Sequence, residues 1–125
     1  MKSIDNVGLE EVRQVYRGAE GELWELIMGQ QIHIGGLCSS MDLADRAGIA
    51  AGSSGIDLCC CTGAGMRFLL RFRQVARMTG VDATEAVLEK GRIRCAAEDM
   101  TDRTRFVLAD ATATGLPSGS VDFVW

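Results

Sequence analysis

The chain has 125 residues, 47% of them hydrophobic, and its 13 basic and 17 acidic residues give a net charge of −4. This length fits one domain, and no apolar run approaches the roughly 20 residues that a membrane-spanning helix needs. The acidic balance argues against a nucleic-acid surface. The first residues have no apolar core like that of a secretory signal, so we expect a cytoplasmic protein that binds neither membrane nor nucleic acid.

The five cysteines are an odd set without a C-x-x-C pair, which argues against a disulfide framework and a zinc site. Three of them are consecutive, from Cys59 to Cys61. The sequence predicts a strand here, on which side chains alternate between the two faces and cannot close around one tetrahedral metal. We therefore predict no metal site and interpret the cysteines as small apolar residues in a tight buried place.

The N-terminal residues 1–50 are predicted to form a helical cap segment. Apolar residues at helical spacing over 8–28 predict two helices, broken at Gly18 and Gly21. A glycine-rich loop over 28–36 follows them.

A third helix is predicted over 39–49. Ser39 or Ser40 is its candidate N-cap, and Gly48 is the candidate residue just after its end. We expect this helix to pack on a sheet through its small and apolar residues, which are Met41, Leu43, Ala44 and Ala47.

The centre of the chain is a strand, a turn and a helix start within 55–66. Gly63 and Gly65 leave room for the backbone to approach a ligand closely, where larger side chains would not fit. Residues 66–72 have apolar side chains at helical spacing, so the turn presents the free N–H groups of a helix N-terminus. This pattern is typical of a ligand-binding turn in an α/β sheet.

Two further strands are predicted to carry acids at their ends. The second strand, 74–82, ends at Asp82, nineteen residues after Gly63. In nucleotide-binding folds an acid at this distance accepts hydrogen bonds from the ribose hydroxyls. Thr84 is the candidate N-cap of the following helix, and the third strand, 106–111, contains Asp110.

A fourth strand is predicted over 121–125, after a turn-rich connection. The alternation of strands and helices predicts a Rossmann-like, doubly wound parallel sheet with strand order 3-2-1-4. An apolar strand at the edge of such a sheet exposes unpaired backbone groups. We therefore expect that 121–125 can pair with the same strand of another copy, or with a second, different chain.

Residues 57–63, D-L-C-C-C-T-G, resemble the D-L-G-C-G-T-G loop of class I S-adenosylmethionine-dependent methyltransferases. The resemblance implies that S-adenosyl-L-methionine is the cofactor. It implies that Asp57 lies near the amino end of the cofactor, Asp82 at the ribose and Asp110 at the adenine amine, unless Asp110 only caps the next turn. The candidate cofactor-binding residues are Asp57, Cys59, Gly63, Ala64, Gly65, Asp82, Ala83, Asp110 and Ala111.

The chain departs from this family at Cys59 and Cys61, where the usual pattern has glycine. A left-handed backbone at Cys61 would cost on the order of 1–2 kcal/mol, and its β-carbon would crowd the cofactor.

The segment 29–35 resembles, more loosely, a G-x-x-I-H-x-G element of small-amine N-methyltransferases such as those for sarcosine and dimethylglycine. This resemblance implies a small-molecule acceptor, an amine, and a role for Tyr16, Gln31 and His33 in covering the cofactor. The alternative for His33 is a loop histidine with a satisfied backbone bond.

We expect 51–125 to be the first half of the cofactor-binding domain, so that the chain is a fragment and inactive alone. No catalytic residue can be assigned, since methyl transfer depends mainly on proximity and orientation. One alternative is a non-catalytic or degenerate domain of the same fold. A nicotinamide-dependent oxidoreductase is disfavoured, because a G-x-G-x-x-G frame that starts at Gly63 has Phe68 where a small residue is needed.

Overall fold

The computed structural model describes residues 7–30 and 34–125, which form a four-stranded parallel sheet flanked by helices. The elements in chain order are α1 Leu9–Arg17, α2 Ala19–Met28, α3 Gly36–Arg46, β1 Ser54–Leu58, α4 Ala64–Phe72, β2 Arg77–Asp82, α5 Glu85–Ala97, a 3-10 turn Thr101–Arg103, β3 Thr104–Leu108 and β4 Phe123–Val124.

The strand order is β3-β2-β1-β4, with all pairs parallel, as the sequence predicts. In the register, Leu58 of β1 pairs with Val81 of β2, and Asp82 pairs with Leu108 of β3. The carboxyl ends of three strands therefore lie level with one another at one edge of the sheet. In parallel α/β sheets this is the edge at which ligands bind.

The core lies between the sheet and the helices α4 and α5. Its largest fully buried side chains include Met66 and Leu69 of α4, Met78 of β2 and Leu88 of α5. Helix α4 buries five consecutive residues, 66–70, and all of them except Arg67 belong to the core cluster. The turn that precedes α4 is thus fixed to a rigid base.

The break between α1 and α2 is confirmed at Gly18, but the predicted break at Gly21 is wrong because Gly21 lies inside α2. A β-carbon on Gly21 would stand 2.6 Å from the carbonyl oxygen of Tyr16. Glycine is therefore needed there because the two helices approach closely, and not because the helix stops.

The predicted start of α3 is also wrong. The helix begins at Gly36 with Gly35 as its N-cap, in a left-handed conformation at φ +89°, while Ser40 is buried inside the helix. The Ser39 hydroxyl lies 3.1 Å from the carbonyl of Gly36, as a donor rather than a cap acceptor. Gly48 follows the helix at φ +65°, as predicted.

Of the residues expected to join α3 to the sheet, Ala44 is buried and Met41 packs against the core. Leu43 and Ala47 are exposed, so the prediction is wrong for them. They lie instead along an apolar cleft of about 480 Å³ between α3 and β4, whose lining, Ser39, Ser40, Leu43, Ala47, Ile49, Phe123, Val124 and Trp125, contains no charged residue.

The strands are shorter than predicted at several ends. β1 stops at Leu58, so the three cysteines are not on a strand: Cys59 and Cys61 have φ values of 58° and 50° and belong to the turn. β2 begins at Arg77 rather than at position 74, because Gln74 has a φ of 54° that no strand accommodates. β3 ends before Asp110, which lies in the loop that follows.

Candidate functional site

A cleft of about 350 Å³ opens at the carboxyl edge of the sheet, beneath α1. This volume is in the range of small-ligand pockets, roughly 300–1,000 Å³. Its walls come from the segments after β1, β2 and β3 and from one side of α1, and they consist of Leu9, Val12, Tyr16, Cys59, Cys61, Val81, Asp82, Ala83, Thr84, Ala109, Asp110 and Ala111.

The structure thus brings six of the predicted site residues into one cleft: Tyr16, Cys59, Asp82, Ala83, Asp110 and Ala111. Sequence reasoning did not assign Leu9 and Val12 to this site. Their spacing predicts only that they share one side of a helix, and the described residues of α1 include no buried one. The apolar side of α1 faces the cleft instead of a core.

Asp82 holds the turn with both carboxylate oxygens. Its Oδ2 accepts a hydrogen bond from the Cys61 backbone N–H over 2.9 Å, and its Oδ1 accepts one from the Thr84 N–H over 2.9 Å. The tip of β2 therefore fixes both the turn after β1 and the start of α5. Each oxygen has a second lone pair with which it can accept a ligand hydroxyl.

Asp110 closes the turn after β3. Its Oδ1 accepts hydrogen bonds from the backbone N–H and the hydroxyl of Thr112, over 2.8 and 2.7 Å. These bonds hold the pKa of this carboxyl below its usual range. Asp110 therefore does cap the next turn, and it lines the cleft as a carboxylate at the same time.

Cys59 and Cys61 both face the cleft from left-handed backbone positions, where glycine is favoured. Burial raises the pKa of the Cys61 thiol to about 11, and burial together with Asp82 raises that of Cys59. Both groups are therefore neutral thiols near pH 7 and add bulk rather than charge to the cleft.

Asp57 is buried behind the turn, with 6% of its surface exposed. Burial, followed by the nearby charge of Asp82, raises the pKa of its carboxyl to about 7, although a hydrogen bond from the Met66 backbone N–H opposes the shift. A β-carbon on Gly65 would stand 2.9 Å from Asp57 Oδ2, so glycine is needed for the helix to pass this acid.

The turn itself ends at Gly63, the N-cap of α4, in a left-handed conformation at φ +72°. Its backbone N–H donates to the carbonyl of Cys60 over 2.8 Å. The other four predicted cofactor-binding residues are not among those that line the cleft: Asp57 lies near the end of β1, and Gly63, Ala64 and Gly65 form the start of α4. Gln31 and His33, the other two residues predicted to cover the cofactor, lie outside the described residues.

Within the described parts of the chain, no three His, Cys, Asp or Glu side chains are grouped so that they could hold a metal ion. All five cysteines are free thiols. None of the described helices is long and apolar enough to cross a membrane.

A sheet of this order with a glycine turn and acids at its carboxyl edge defines an α/β nucleotide-binding domain. Residues 56–125 match the family described as a methyltransferase domain. Because this match covers more than half of the chain, the chain belongs to the methyltransferase domain family, as the resemblance of its glycine turn implies. No curated protein matches the chain.

Solved structures share the fold. One is phospholethanolamine N-methyltransferase 2 of Haemonchus contortus in complex with phosphomonomethylethanolamine and S-adenosylhomocysteine, with a TM-score of 0.80, 24% identity, and coverage of 90% of this chain and 26% of that chain. Another is a putative sarcosine dimethylglycine methyltransferase from Galdieria sulphuraria, with a TM-score of 0.69, 18% identity, and coverage of 79% and 39%.

A third is the (4+2)-cyclase SpnF, with a TM-score of 0.77, 16% identity, and coverage of 93% of this chain and 48% of that chain. At such identities the likeness shows the fold alone. The chain spans between about a quarter and a half of the length of these three proteins.

Proposed function

We propose that this chain is the cofactor-binding part of an S-adenosylmethionine-dependent methyltransferase whose acceptor is a small molecule, an amine. The observation that carries the proposal is that Cys59, Asp82 and Asp110, from three successive strand ends, line the same cleft. It lies in the part of the chain that matches the methyltransferase domain.

The residues of the cleft fit the nucleoside part of this cofactor. Asp82 is the acceptor for the ribose hydroxyls, and Asp110 is the acceptor for the adenine amine. Apolar side chains such as Leu9 and Val12 cover the faces of a flat base. The methionine part of the cofactor extends toward the turn at Gly63–Gly65 and the carboxyl of Asp57.

Charge also favours this cofactor over a dinucleotide. None of the twelve residues that line the cleft is basic, and two of them are aspartates. A sulfonium cation with an amino acid tail is attracted by such a site, whereas a pyrophosphate is repelled.

When bound, S-adenosylmethionine supplies an electrophilic methyl group. The residues of this chain bind and orient it, while α1 and Tyr16 exclude water from the nucleoside. The described residues include no group that we assign as a catalytic acid or base, in keeping with a reaction that proceeds by alignment of two centres.

An amine acceptor is supported by the loose resemblance of 29–35 and by two neighbours of this fold whose names specify nitrogen substrates. The second candidate function is a non-methylating domain of the same fold. It is supported by the cyclase among the neighbours and by the two cysteines that stand in place of glycine.

Strand β4 pairs with β1 on one side and forms an edge of the described sheet. This edge supports the proposal that 121–125 pairs with a strand of a second copy or of a different chain. Sedimentation analysis tests self-association: a Val124→Lys variant that sediments like the parent would contradict pairing through this edge.

Calorimetric titration with S-adenosylhomocysteine, with NADH as the comparison ligand, tests the cofactor assignment. We expect saturable binding of the first ligand only, weakened by Asp110→Ala. Asp42→Ala is the matched control, because Asp42 is an exposed acid on α3 that pairs with Arg46, away from the cleft. A folded protein that binds neither ligand, or one that binds NADH equally well, contradicts the assignment.

A further inference from the structure

Thr62, the residue just before Gly63 in the turn, is held by two arginines. Arg67 of α4 donates from Nη1 to the Thr62 carbonyl over 2.9 Å. Arg94 of α5 donates from Nη1 to the Thr62 hydroxyl over 2.8 Å. Thr62 and Arg67 are both buried, so these bonds form in surroundings where water competes little.

Each arginine also reaches the N-terminal helical segment. Arg94 forms an ion pair with Glu25 of α2, and this contact holds the pKa of the Glu25 carboxyl below its usual range. Arg67 donates from Nη2 to the side chain of Gln30, just after α2, and its Nε lies 3.1 Å from Glu98 Oε1. The carbonyl and the hydroxyl of Thr62 are therefore both connected to the helical segment, the first through Arg67 and the second through Arg94.

The helical segment depends on such polar contacts. Residues 9–28, all of them described, include none that is buried. Two further contacts to the core are also polar: Arg13 Nε donates to the Ala83 carbonyl over 2.7 Å, and Lys90 Nζ of α5 lies 3.5 Å from Glu22 Oε1. These polar contacts therefore contribute to the docking of α1 and α2, together with the partly covered apolar side chains of α1 that line the cleft.

We propose that Arg67 and Arg94 are positioning residues that couple docking of the α1–α2 segment to the shape of the cofactor turn through Thr62. The proposal rests on the proposed function, since the turn and α1 border the same cleft. When Glu25 and Gln30 engage the two arginines, Thr62 is fixed and Tyr16 is held over the cleft. By linkage, a ligand that orders the turn must also tighten the docking of the helices.

The chain offers a matched pair of variants. Glu25 and Glu22 both lie on α2 and both form ion pairs with basic residues of α5, but only the partner of Glu25 also bonds Thr62. Glu25→Gln and Glu22→Gln therefore each remove one charge from the docking surface, and the contact to the turn is perturbed only by the first. Both variants keep the size of the side chain, and circular dichroism checks that they are folded.

Two readouts are measured: the Kd for S-adenosylhomocysteine, and hydrogen exchange of the backbone amides of 61–64 without ligand. We expect Glu25→Gln to raise Kd by about threefold to tenfold, within the usual range of coupling between sites, and to speed exchange in the turn. Glu22→Gln is expected to change Kd by less than about twofold and to leave exchange at the turn unaltered.

Equal effects of the two variants on both readouts would overturn the proposal, because docking would then not act through Thr62. If the parent protein does not bind S-adenosylhomocysteine, the proposed function fails, and the exchange measurement without ligand still decides on the coupling. Thr62→Val is the second test: with the hydroxyl removed, Glu25→Gln should no longer alter exchange at the turn, and an unchanged effect would contradict transmission through Arg94.

Discussion

The carboxylate of Asp82 accepts the backbone N–H of Cys61 across 2.9 Å, so that the end of β2 fixes the turn that follows β1. At present the two carboxylate oxygens of Asp82 accept hydrogen bonds from two backbone N–H groups. In Asp82→Asn the side-chain NH2 group would replace one of these oxygens and could not accept its hydrogen bond. We expect this variant to lose about 1–3 kcal/mol of unfolding free energy even without ligand, because a donor is left unpaired. Urea denaturation measures the loss.

Asp110→Asn is the control for this prediction, since Asp110 is also a cleft acid but caps only an exposed turn. Its effect on stability should be clearly smaller. If Asp82→Asn is as stable as the parent, the carboxylate does not hold the turn in solution, and a weakening of cofactor binding by that variant could then be attributed to a lost ligand contact.

The cysteines of the turn provide a second prediction, about backbone strain. A residue with a β-carbon in the left-handed region costs roughly 1–2 kcal/mol, while glycine costs roughly 0.5–1 kcal/mol of chain entropy. Cys59 is exposed, so Cys59→Gly should give a net gain of a few tenths to about 1 kcal/mol. Cys61 is half-buried, so Cys61→Gly should leave stability nearly unchanged and lower the cofactor Kd by opening the cleft.

Cys60, between them, is the internal control. It is buried in the core and is not at a positive φ, so glycine there removes packing and relieves no strain. Cys60→Gly should destabilise the protein by about 1–3 kcal/mol. Thermal denaturation of the three variants tests this order of stabilities, with Cys59→Gly the most stable and Cys60→Gly the least. If Cys59→Gly is less stable than the parent, the thiol contributes more to stability than the backbone strain costs.

A third prediction concerns Gly65 in the first turn of α4. In an open helix, alanine would be better than glycine by up to about 1 kcal/mol. Here the new β-carbon would stand 2.9 Å from Asp57 Oδ2 and 3.0 Å from Trp125 Nε1, both in buried or half-buried groups. We therefore expect Gly65→Ala to destabilise the protein by about 1–3 kcal/mol, as measured by chemical denaturation. An increase in stability would show that helix propensity outweighs the contact.

The strand order could be predicted from sequence because each strand, turn and helix start has its own local pattern, as at 55–66 and at Thr84. The errors fall where glycine or a left-handed residue has a tertiary role. Gly21 serves helix contact, and Gly35 starts α3 earlier than the serines predict. β2 begins later than predicted because Gln74 has a left-handed backbone conformation, which a glutamine side chain does not predict.

The cleft was predictable where residues follow strand ends, as for Asp82 and Asp110, because parallel strands bring their carboxyl ends to one edge. The contribution of Leu9 and Val12 to the cleft could not be predicted, because an amphipathic pattern does not show which surface the apolar side of a helix covers. The two hydrogen bonds from Arg67 and Arg94 to Thr62 could not be predicted either, because the packing of α4 and α5 brings these arginines to the turn.

The pH dependence of stability gives a fourth prediction, through Asp57. Its ordinary pKa is 3.8, and burial raises the value to about 7 in the folded protein. Between these values the folded chain holds a proton that the unfolded chain has released, so the contribution of Asp57 to stability falls as pH rises through this window. Above about pH 7 the carboxylate is charged in both states, and the penalty for burying it is complete.

Asp57→Asn removes this titration and keeps an oxygen that can accept the Met66 N–H. We therefore expect the variant to gain stability over the parent as pH rises, by roughly 2 kcal/mol more at pH 8 than at pH 5. Urea denaturation at the two pH values measures the difference. In the Asp82→Asn background the gain should be smaller, because the negative charge of Asp82, the second cause of the raised pKa of Asp57, is then absent. If the gain does not vary with pH, Asp57 is already ionised in the folded protein at pH 5, and the prediction is wrong.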